Sequence, residues 1–579
     1  MFAHLHCHFY GSYSDSILDP ERIPEYLEAL GQRSIALTDH GVIDYALPFY
    51  RICRAADIHP VIGCEVYFVD DARRSIERGD TYRNHLVLLA ADNQGLANLV
   101  RLVNESWLEN SFEEARGLVD WRLLEKYHQG LIALSACFWG SLPQKYITGG
   151  MAAAEKEFER YYEIFGRDFF PELARHGIAE EEQANEGLIA LSRRFGVTPV
   201  VTNDCHYQRP EDWKFHDVLI KTRFGYATDF ALDSRQYYLK SEQEMLDLGL
   251  SPEYCRISEE IADRCRVDFD SLPVDLQAAP PPEAQEAVFA SRMIVIDGPR
   301  ALRDAAAVFQ VGGKELDDLL NRLPEGISLA EARRDSPLLS KWLERYPGPA
   351  VAAGKLEGVP RRIAPDWETV IPIPLDRLRG WLPLRRVGGA IIASAPREVL
   401  DDLGVPRQPP SGLFDQVSGL EIQVRELSIL EEAREKMAAG DHTAAAVLLE
   451  GILRSAPERF DVRILLADAY YYRKSYRKAL EQYRILTSGE LPDRHRGRAL
   501  VRQGWSSNWL GDPEGALAAF ARAREHNPDF APALYGLGMV SNRQGRTKEA
   551  REYLQAFLQL RGEGRQAEKA RGVLARLSG

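Results

Sequence analysis

The chain has 579 residues, 45% of them hydrophobic and 27% charged, with a formal net charge of −14. These are ordinary values for a globular protein of three or four domains at ~150 residues each, and the negative balance argues against a globally basic nucleic-acid binder while leaving room for a local basic groove. No secretory signal opens the sequence and no apolar run approaches the ~20 residues of a membrane span, so neither secretion nor a membrane is expected.

The first expected strand, Phe2–Cys7, carries His4-Leu5-His6-Cys7-His8, and Asp15 follows seven residues after His8. Alternate residues of a strand share a face, so His4, His6 and His8 can stand side by side, an arrangement that a divalent metal explains. Further apolar runs read as strands at Ser34–Thr38, Val61–Tyr67, His85–Ala90, Leu131–Ala136, Phe169–Leu173 and Thr198–Thr202. Helix-period segments at Pro20–Leu30, Asn93–Trp107, Ala152–Ile164 and Glu181–Phe195 separate most of them. Alternating strand and helix implies parallel strands with crossover helices. Seven such units closing on themselves give an α/β fold, a TIM-like (β/α)7 barrel with its site at the C-terminal strand ends.

Candidate ligands stand at those ends. Strand one gives His6 and His8, strand two runs into Thr38-Asp39-His40-Gly41, and strand three carries Gly63-Cys64-Glu65. Strand five ends in Ser135-Ala136-Cys137 and strand seven in Thr202-Asn203-Asp204-Cys205-His206. His85 opens strand four instead of ending it and is off the pattern. Mixed N, O and S ligands suit zinc, or manganese or iron where carboxylates bridge. The set is too large for one ion, and two or three sharing a carboxylate would use it. The seven cysteines, all in the first half and without a C-x-x-C pair, indicate reduced thiols and a cytoplasmic location, with one metal ligand among them.

HLHCH, Asp15, A-L-T-D-H-G, V-I-G-C-E-V-Y, H-L-V-L-L-A, G-L-I-A-L-S-A-C and T-N-D-C-H-Y resemble, in order and spacing, the PHP (polymerase and histidinol phosphatase) domain of bacterial DNA polymerase III alpha subunits, over residues 1–270. The resemblance implies three metal ions. His6, His8, Glu65 and Asp204 would hold the first, Glu65, His85 and Cys137 the second, and Asp15, His40 and His206 the third. Glu65 would bridge the first two. The implied chemistry is metal-assisted phosphoester hydrolysis, with Glu65 at its centre and Asp39 orienting a histidine. His176 and His4 are candidates for a proton donor or phosphate contact, and Arg175 for a phosphate clamp. Phe9 and Gly11 depart from the family's usual polar or aromatic residues.

The Pro-rich link Ala278–Pro282 reads as a boundary, and residues 271–420 resemble, more faintly, pieces of the polymerase palm and finger region. Helices are expected at Arg300–Phe309, Lys314–Leu323, Leu329–Arg334, Pro337–Tyr346 and Pro396–Leu403, and a strand at Gly389–Ser394. The polymerase Asp-x-Asp pair is missing; Asp268-Phe269-Asp270 belongs to the end of the first domain, and Asp415 alone could not serve. Polymerisation is therefore expected to be lost. Arg361, Arg362, Arg385 and Arg386, with Arg377, Arg379, Trp367 and Trp381 nearby, form a basic, aromatic stretch able to track single-stranded DNA.

Residues 421–579 repeat with a period near 34. Ala433, Ala467, Gly504 and Gly538 open one register; Ala445, Ala479, Ala516 and Ala550 follow twelve later; Leu449, Tyr483, Phe520 and Leu554 come four further on. Small residues let paired helices approach while the larger one fills the groove, as in tetratricopeptide repeats. Ala467 and Gly504 are 37 apart, which suggests a longer loop around Ser488–Asp493. Four units make a solenoid suited to a protein or peptide partner. Three functions stay open: a 3′–5′ exonuclease on DNA ends, an inactive polymerase relative acting through its repeats, and a histidinol-phosphatase-like enzyme. The polymerase-like pieces, and Cys137 in place of histidine, weigh against the third.

Overall fold

In the computed structural model, the described residues are 2–578 except 79–82, 113–115, 225–233, 272–287, 310, 312–313, 321, 324–326, 372–377, 379–381, 388–389, 396–399, 402–404, 406–428, 431, 435, 438–440, 490–492, 527–529 and 561–564. They divide into two compact units, residues 1–72 with 82–413, and residues 73–81 with 414–579.

The first unit is built on a barrel. Its strands are β1 (Ser34–Leu37), β2 (His59–Phe68), β3 (Asn84–Ala90), β4 (Ser111–Phe112), β5 (Arg116–Val119), β6 (Leu131–Leu134), β7 (Phe169–Phe170), β8 (Glu172–Leu173) and β9 (Val200–Val201). β1, β2, β3, β6 and β7 pair in that order, and β8 pairs with β9. β7 and β8 are one extended stretch broken at Pro171, which has no N–H to give to a ladder. Residues 2–8 close the ring. His4 O accepts from Ala36 N (2.7 Å) and Cys7 O from Thr38 N (2.9 Å) on one side. On the other, Cys205 N donates to His6 O (3.0 Å) and His8 N to Cys205 O (2.8 Å). Apolar side chains fill the interior, among them Leu5, Val61, Val87, Leu89, Ile132 and Val200. The helix Pro252–Arg264 caps the base through Ile261 and Ala262.

Two expectations are corrected. The expected first strand is reduced to isolated bridges at His4 and Cys7, on opposite neighbours. The irregularity between them turns His4 away from His6 and His8. Nor are all strands parallel: β3 runs antiparallel to both β2 and β6. That reversal explains His85, because the N-terminal end of an antiparallel strand lies beside the C-terminal ends of its neighbours.

Residues 288–400 pack on this barrel. A four-stranded sheet takes β10 (Val288–Val295), β11 (Pro360–Ile371), β12 (Leu384–Val387) and β13 (Ala390–Ala393) in the order β11-β10-β13-β12. Helices Gly298–Val308, Lys314–Leu320, Leu329–Asp335, Pro337–Arg345 and Pro347–Leu356 lie between the first two strands. Asn104 of the barrel helix Asn93–Leu108 donates to Leu382 O (2.8 Å) and accepts from Leu384 N (2.7 Å). The expected helix at Pro396–Leu403 and Asp415 fall largely or wholly outside the described residues.

The second unit is an array of helix pairs: Phe460–Tyr472 with Tyr476–Ser488, Asp493–Trp509 with Pro513–His526, and Ala531–Arg543 with Thr547–Leu560, preceded by His442–Ser455 and followed by Arg565–Ser578. Every small-residue register position from Ala433 to Ala550 that is alanine is fully buried, as are Leu449, Phe520 and Leu554, with Tyr483 nearly so. A Cβ on Gly504 would sit 2.6 Å from the Phe520 ring, and one on Gly538 2.6 Å from Leu554. Small and large positions thus meet across each pair. The extra length is not in a longer loop. Ala467 and Gly538 are the eighth residues of their helices and Gly504 is the twelfth, so Asp493–Trp509 begins about one turn early.

Candidate metal centre

The barrel mouth gathers the expected ligands around Glu65, which β2 aims inward. Glu65 Oε1 lies 3.1 Å from His6 Nε2 and 2.9 Å from His85 Nδ1. Its Oε2 lies 2.6 Å from His40 Nδ1 and 3.5 Å from His8 Nε2. One carboxylate therefore faces two pairs of imidazoles, one pair at each oxygen. Asp204 Oδ1 is 3.0 Å from His8 Nε2, 3.5 Å from His6 Nε2 and 3.6 Å from His206 Nδ1. Asp15 Oδ2 lies 3.1 Å from His40 Nε2, so His40 stands between the Glu65–His85 group and Asp15. His8, His40 and His206 also form a set close enough to share an ion. Cys137 is buried beyond the end of β6, and burial with the charges of Asp204 and Glu65 pushes its thiol pKa up.

The backbone at the mouth is strained where ligands are aimed. Asp204 has φ 46° and Ala136, just before Cys137, φ 63°, a conformation that non-glycine residues adopt at a cost. Burial pushes the Glu65 carboxyl up, but the imidazoles of His85, His6 and His40 outweigh it and hold it well below the usual range. Asp204 is held down likewise, by His6 and His206 against burial. Burial, with the neighbouring His40 and His206, lowers His8 to about 3.

The donor set fits divalent metal. His6 Nε2, His8 Nε2, His40 Nδ1, His85 Nδ1, both Glu65 oxygens and Asp204 Oδ1 are buried and face one another, with no hydrogen-bond partner outside this cluster. Each such group costs about 1–3 kcal/mol if left unmatched. Such a convergence of imidazole nitrogens and carboxylate oxygens is the environment of zinc, manganese or iron.

Supporting residues fix the rings. Asp39 does not touch a histidine, as was expected of it. Its Oδ1 accepts from Phe9 N (2.6 Å), Ser12 N (3.1 Å) and Ser12 Oγ (2.8 Å), and Ser12 Oγ in turn meets His8 Nδ1 at 3.1 Å. Asp39 therefore acts on His8 through Ser12. Gly11 is explained by the same turn, since a Cβ there would lie 2.3 Å from Asp39 Oδ2. Sequence reasoning missed Ser12 and Glu172. The Glu172 carboxylate meets His6 Nδ1 at 2.6 Å and accepts from Thr202 Oγ1 at 2.5 Å. The available signal was an acidic residue inside a buried apolar run, Phe169-Phe170-Pro171-Glu172-Leu173.

Other expected roles are corrected. His176 has both ring nitrogens occupied, Nδ1 by Glu181 (2.8 Å) and Nε2 by Asn203 O (2.8 Å), and it stacks on Tyr237, which makes it a buried brace. His4 bonds Lys240 O (2.9 Å) and faces Cys205. Arg175 bonds Leu248 O and Glu182. Arg385 is 5% exposed, pairs with Asp44 and lies between the Tyr13 and Trp107 rings, out of reach of a nucleic acid. The side chains of Arg361, Arg362 and Arg386 lie outside the described residues.

At the rim, the Tyr67 ring stacks on His40 with centroids 5.9 Å apart, and the Arg116 guanidinium lies 4.9 Å from the Tyr67 centroid. Trp139, 43% exposed, accepts from His85 N through its carbonyl (3.0 Å). Among the described residues, no helix is long and apolar enough to cross a membrane.

Comparison with known families agrees with this layout. Residues 4–176 match the PHP domain, and residues 436–503 and 510–566 each match tetratricopeptide repeats. The chain is 35% identical over 280 residues to the DNA polymerase III subunit alpha of Treponema pallidum and 33% identical over 300 residues to that of Thermus aquaticus. Those alignments take in 46% and 49% of this chain but 23% and 24% of the relatives, so the chain spans about a quarter of their length. The crystal structure of MamA is 19% identical, with a TM-score of 0.23 over 26% of this chain and 86% of MamA. The protein thus carries an N-terminal PHP domain, homologous over that region to the alpha subunit of DNA polymerase III, and C-terminal tetratricopeptide repeats.

Proposed function

We propose that the barrel is a metal-dependent phosphoester hydrolase, a 3′–5′ exonuclease acting on DNA ends or single strands. The observation that carries this reading is the convergence at the mouth of buried imidazole and carboxylate atoms that have no hydrogen-bond partner outside their own cluster. Two or three divalent ions held by His6, His8, Asp15, His40, Glu65, His85, Cys137, Asp204 and His206 would supply the acidity that activates water and the positive charge that offsets a phosphate. The protein's own part is positioning. Glu65 draws four imidazoles to one point, Ser12 and Glu172 fix the rings of His8 and His6, and the turn after β9 presents Asp204 and His206. Trp139, 43% exposed beside His85, offers a planar apolar surface near the cluster, which favours a nucleotide over a small sugar or amino-acid phosphate.

Residues 1–270 form the hydrolase in this reading, 271–420 the polymerase-like remnant, and 421–579 the repeats, which take a protein or peptide partner. Template-directed synthesis is absent from it, because the metal-holding Asp-x-Asp pair that nucleotidyl transfer depends on is missing. The test is incubation of the chelator-free protein with 3′-labelled single-stranded DNA and with p-nitrophenyl phosphate. Release of 3′ mononucleotides, abolished by chelation and restored by manganese or zinc, is expected. A metal-loaded protein that leaves DNA intact while cleaving p-nitrophenyl phosphate would point to the small-molecule phosphatase instead.

A further inference from the structure

The repeat unit differs in charge from the rest of the chain. Residues 421–579 contain 26 Lys and Arg against 21 Asp and Glu, a balance of +5, within a chain of net charge −14. One edge of this unit is also aromatic. Tyr472, Trp509 and Arg543 are the last residues of the first helices of three successive pairs, and Tyr476 is the first residue of a second helix. In paired antiparallel helices these positions lie at the same end, so they form one row.

The row is organised and exposed. Tyr472 is 46% and Trp509 51% exposed. His442 stacks on Tyr472 (5.3 Å, 24°), and Tyr476 stacks on Trp509 (6.0 Å, 20°). The Arg502 guanidinium lies 4.8 Å from the Tyr472 centroid, and that of Arg543 lies 5.8 Å from the Trp509 centroid. Large exposed rings cost free energy when they meet only water, and here two of them stand at the equivalent ends of successive repeats, each with a cation beside it.

We propose that this edge binds single-stranded nucleic acid. Such a strand carries planar bases and phosphates, and the edge sets exposed rings beside guanidinium groups, of which Arg543 is exposed and Arg502 also approaches Asp468 (3.9 Å). Base–aromatic stacking and cationic contacts together are how strands are held without sequence preference. An acidic polypeptide would match the charge but offers no series of planar groups to the exposed rings. Binding is read without catalysis, so this inference stands or falls separately from the hydrolase reading.

The test uses the full chain, stripped of metal, and the fluorescence anisotropy of a labelled oligothymidine of about 20 nucleotides, long enough to cover several stacking sites. Trp509→Ala and Tyr472→Ala are each expected to weaken binding roughly 5- to 100-fold, the loss of about one stacked base. Trp509→Phe should retain most of the affinity, and binding of a polyglutamate peptide should not change in any variant. Unchanged circular dichroism confirms that the variants fold. Oligothymidine affinity unaffected by both alanine variants, or polyglutamate displacing the oligonucleotide and losing affinity in the same variants, would overturn the proposal and make the edge a site for an acidic protein.

Discussion

Glu172 Oε1 stands 2.6 Å from His6 Nδ1, on the side of the ring opposite the nitrogen that faces Glu65. A carboxylate there keeps the proton on Nδ1 and leaves Nε2 as the coordinating atom. Glu172→Gln keeps the shape and removes the charge. Chelator competition is expected to show metal affinity at the first group falling about 10- to 100-fold. Affinity equal to wild type would mean that the contact is only structural.

His216 gives the stability a defined pH dependence. Its Nε2 bonds Asp15 O (2.7 Å), and burial, then the nearby His206, lowers its pKa to about 4. The unfolded chain takes up this proton first, near pH ~6.5. The contribution of the neutral ring is therefore complete above that value and is lost as pH falls towards 4. In urea unfolding, wild type should lose about 2 kcal/mol more than His216→Gln between pH 7 and pH 5, since glutamine keeps a donor but does not titrate. Parallel losses would contradict this role.

The pair of Arg385 and Asp44 ties the second sheet to the metal-bearing turn. Asp44 also accepts from Tyr13 Oη (2.9 Å) and Ser394 Oγ (2.5 Å). Arg385→Met leaves a buried carboxylate without its cation and should cost about 3 kcal/mol in denaturant unfolding. Arg385→Met with Asp44→Asn should recover part of that loss. A change under about 0.5 kcal/mol in the single variant, the range of ordinary surface substitutions, would place Arg385 back among surface residues.

Gly504→Ala tests the packing of the repeats. The new Cβ would fall 2.6 Å from the ring of the fully buried Phe520. Overpacking of this kind costs about 1–3 kcal/mol. The loss should appear in the far-ultraviolet unfolding transition and leave hydrolysis at the barrel unchanged. A silent substitution would contradict the register.

Strand-end histidines and carboxylates were legible in the sequence because they interrupt apolar runs, and the repeat register because small and large residues recur at fixed distance. What stayed hidden depends on how segments meet in space. His85 looked misplaced until β3 proved antiparallel. His4 stood as a candidate proton donor or phosphate contact on the same face as His6 and His8 until the irregular chain turned it towards Lys240. Arg385 read as a surface cation because its partner Asp44 is some 340 residues away in sequence. Glu172 was passed over because strand periodicity says where a side chain lies and nothing about which ring it meets.

Glu65 is the centre of the account, and its removal is the most direct measurement. Metal content and turnover on 3′-labelled DNA should be determined together for wild type, Glu65→Gln and His40→Ala. Glu65→Gln is expected to lose bound metal and to lower turnover by two to four powers of ten, roughly 3–5 kcal/mol of transition-state stabilisation. His40→Ala should lose less metal and less activity. Wild-type turnover in metal-depleted Glu65→Gln would contradict the assignment and place the activity outside the barrel.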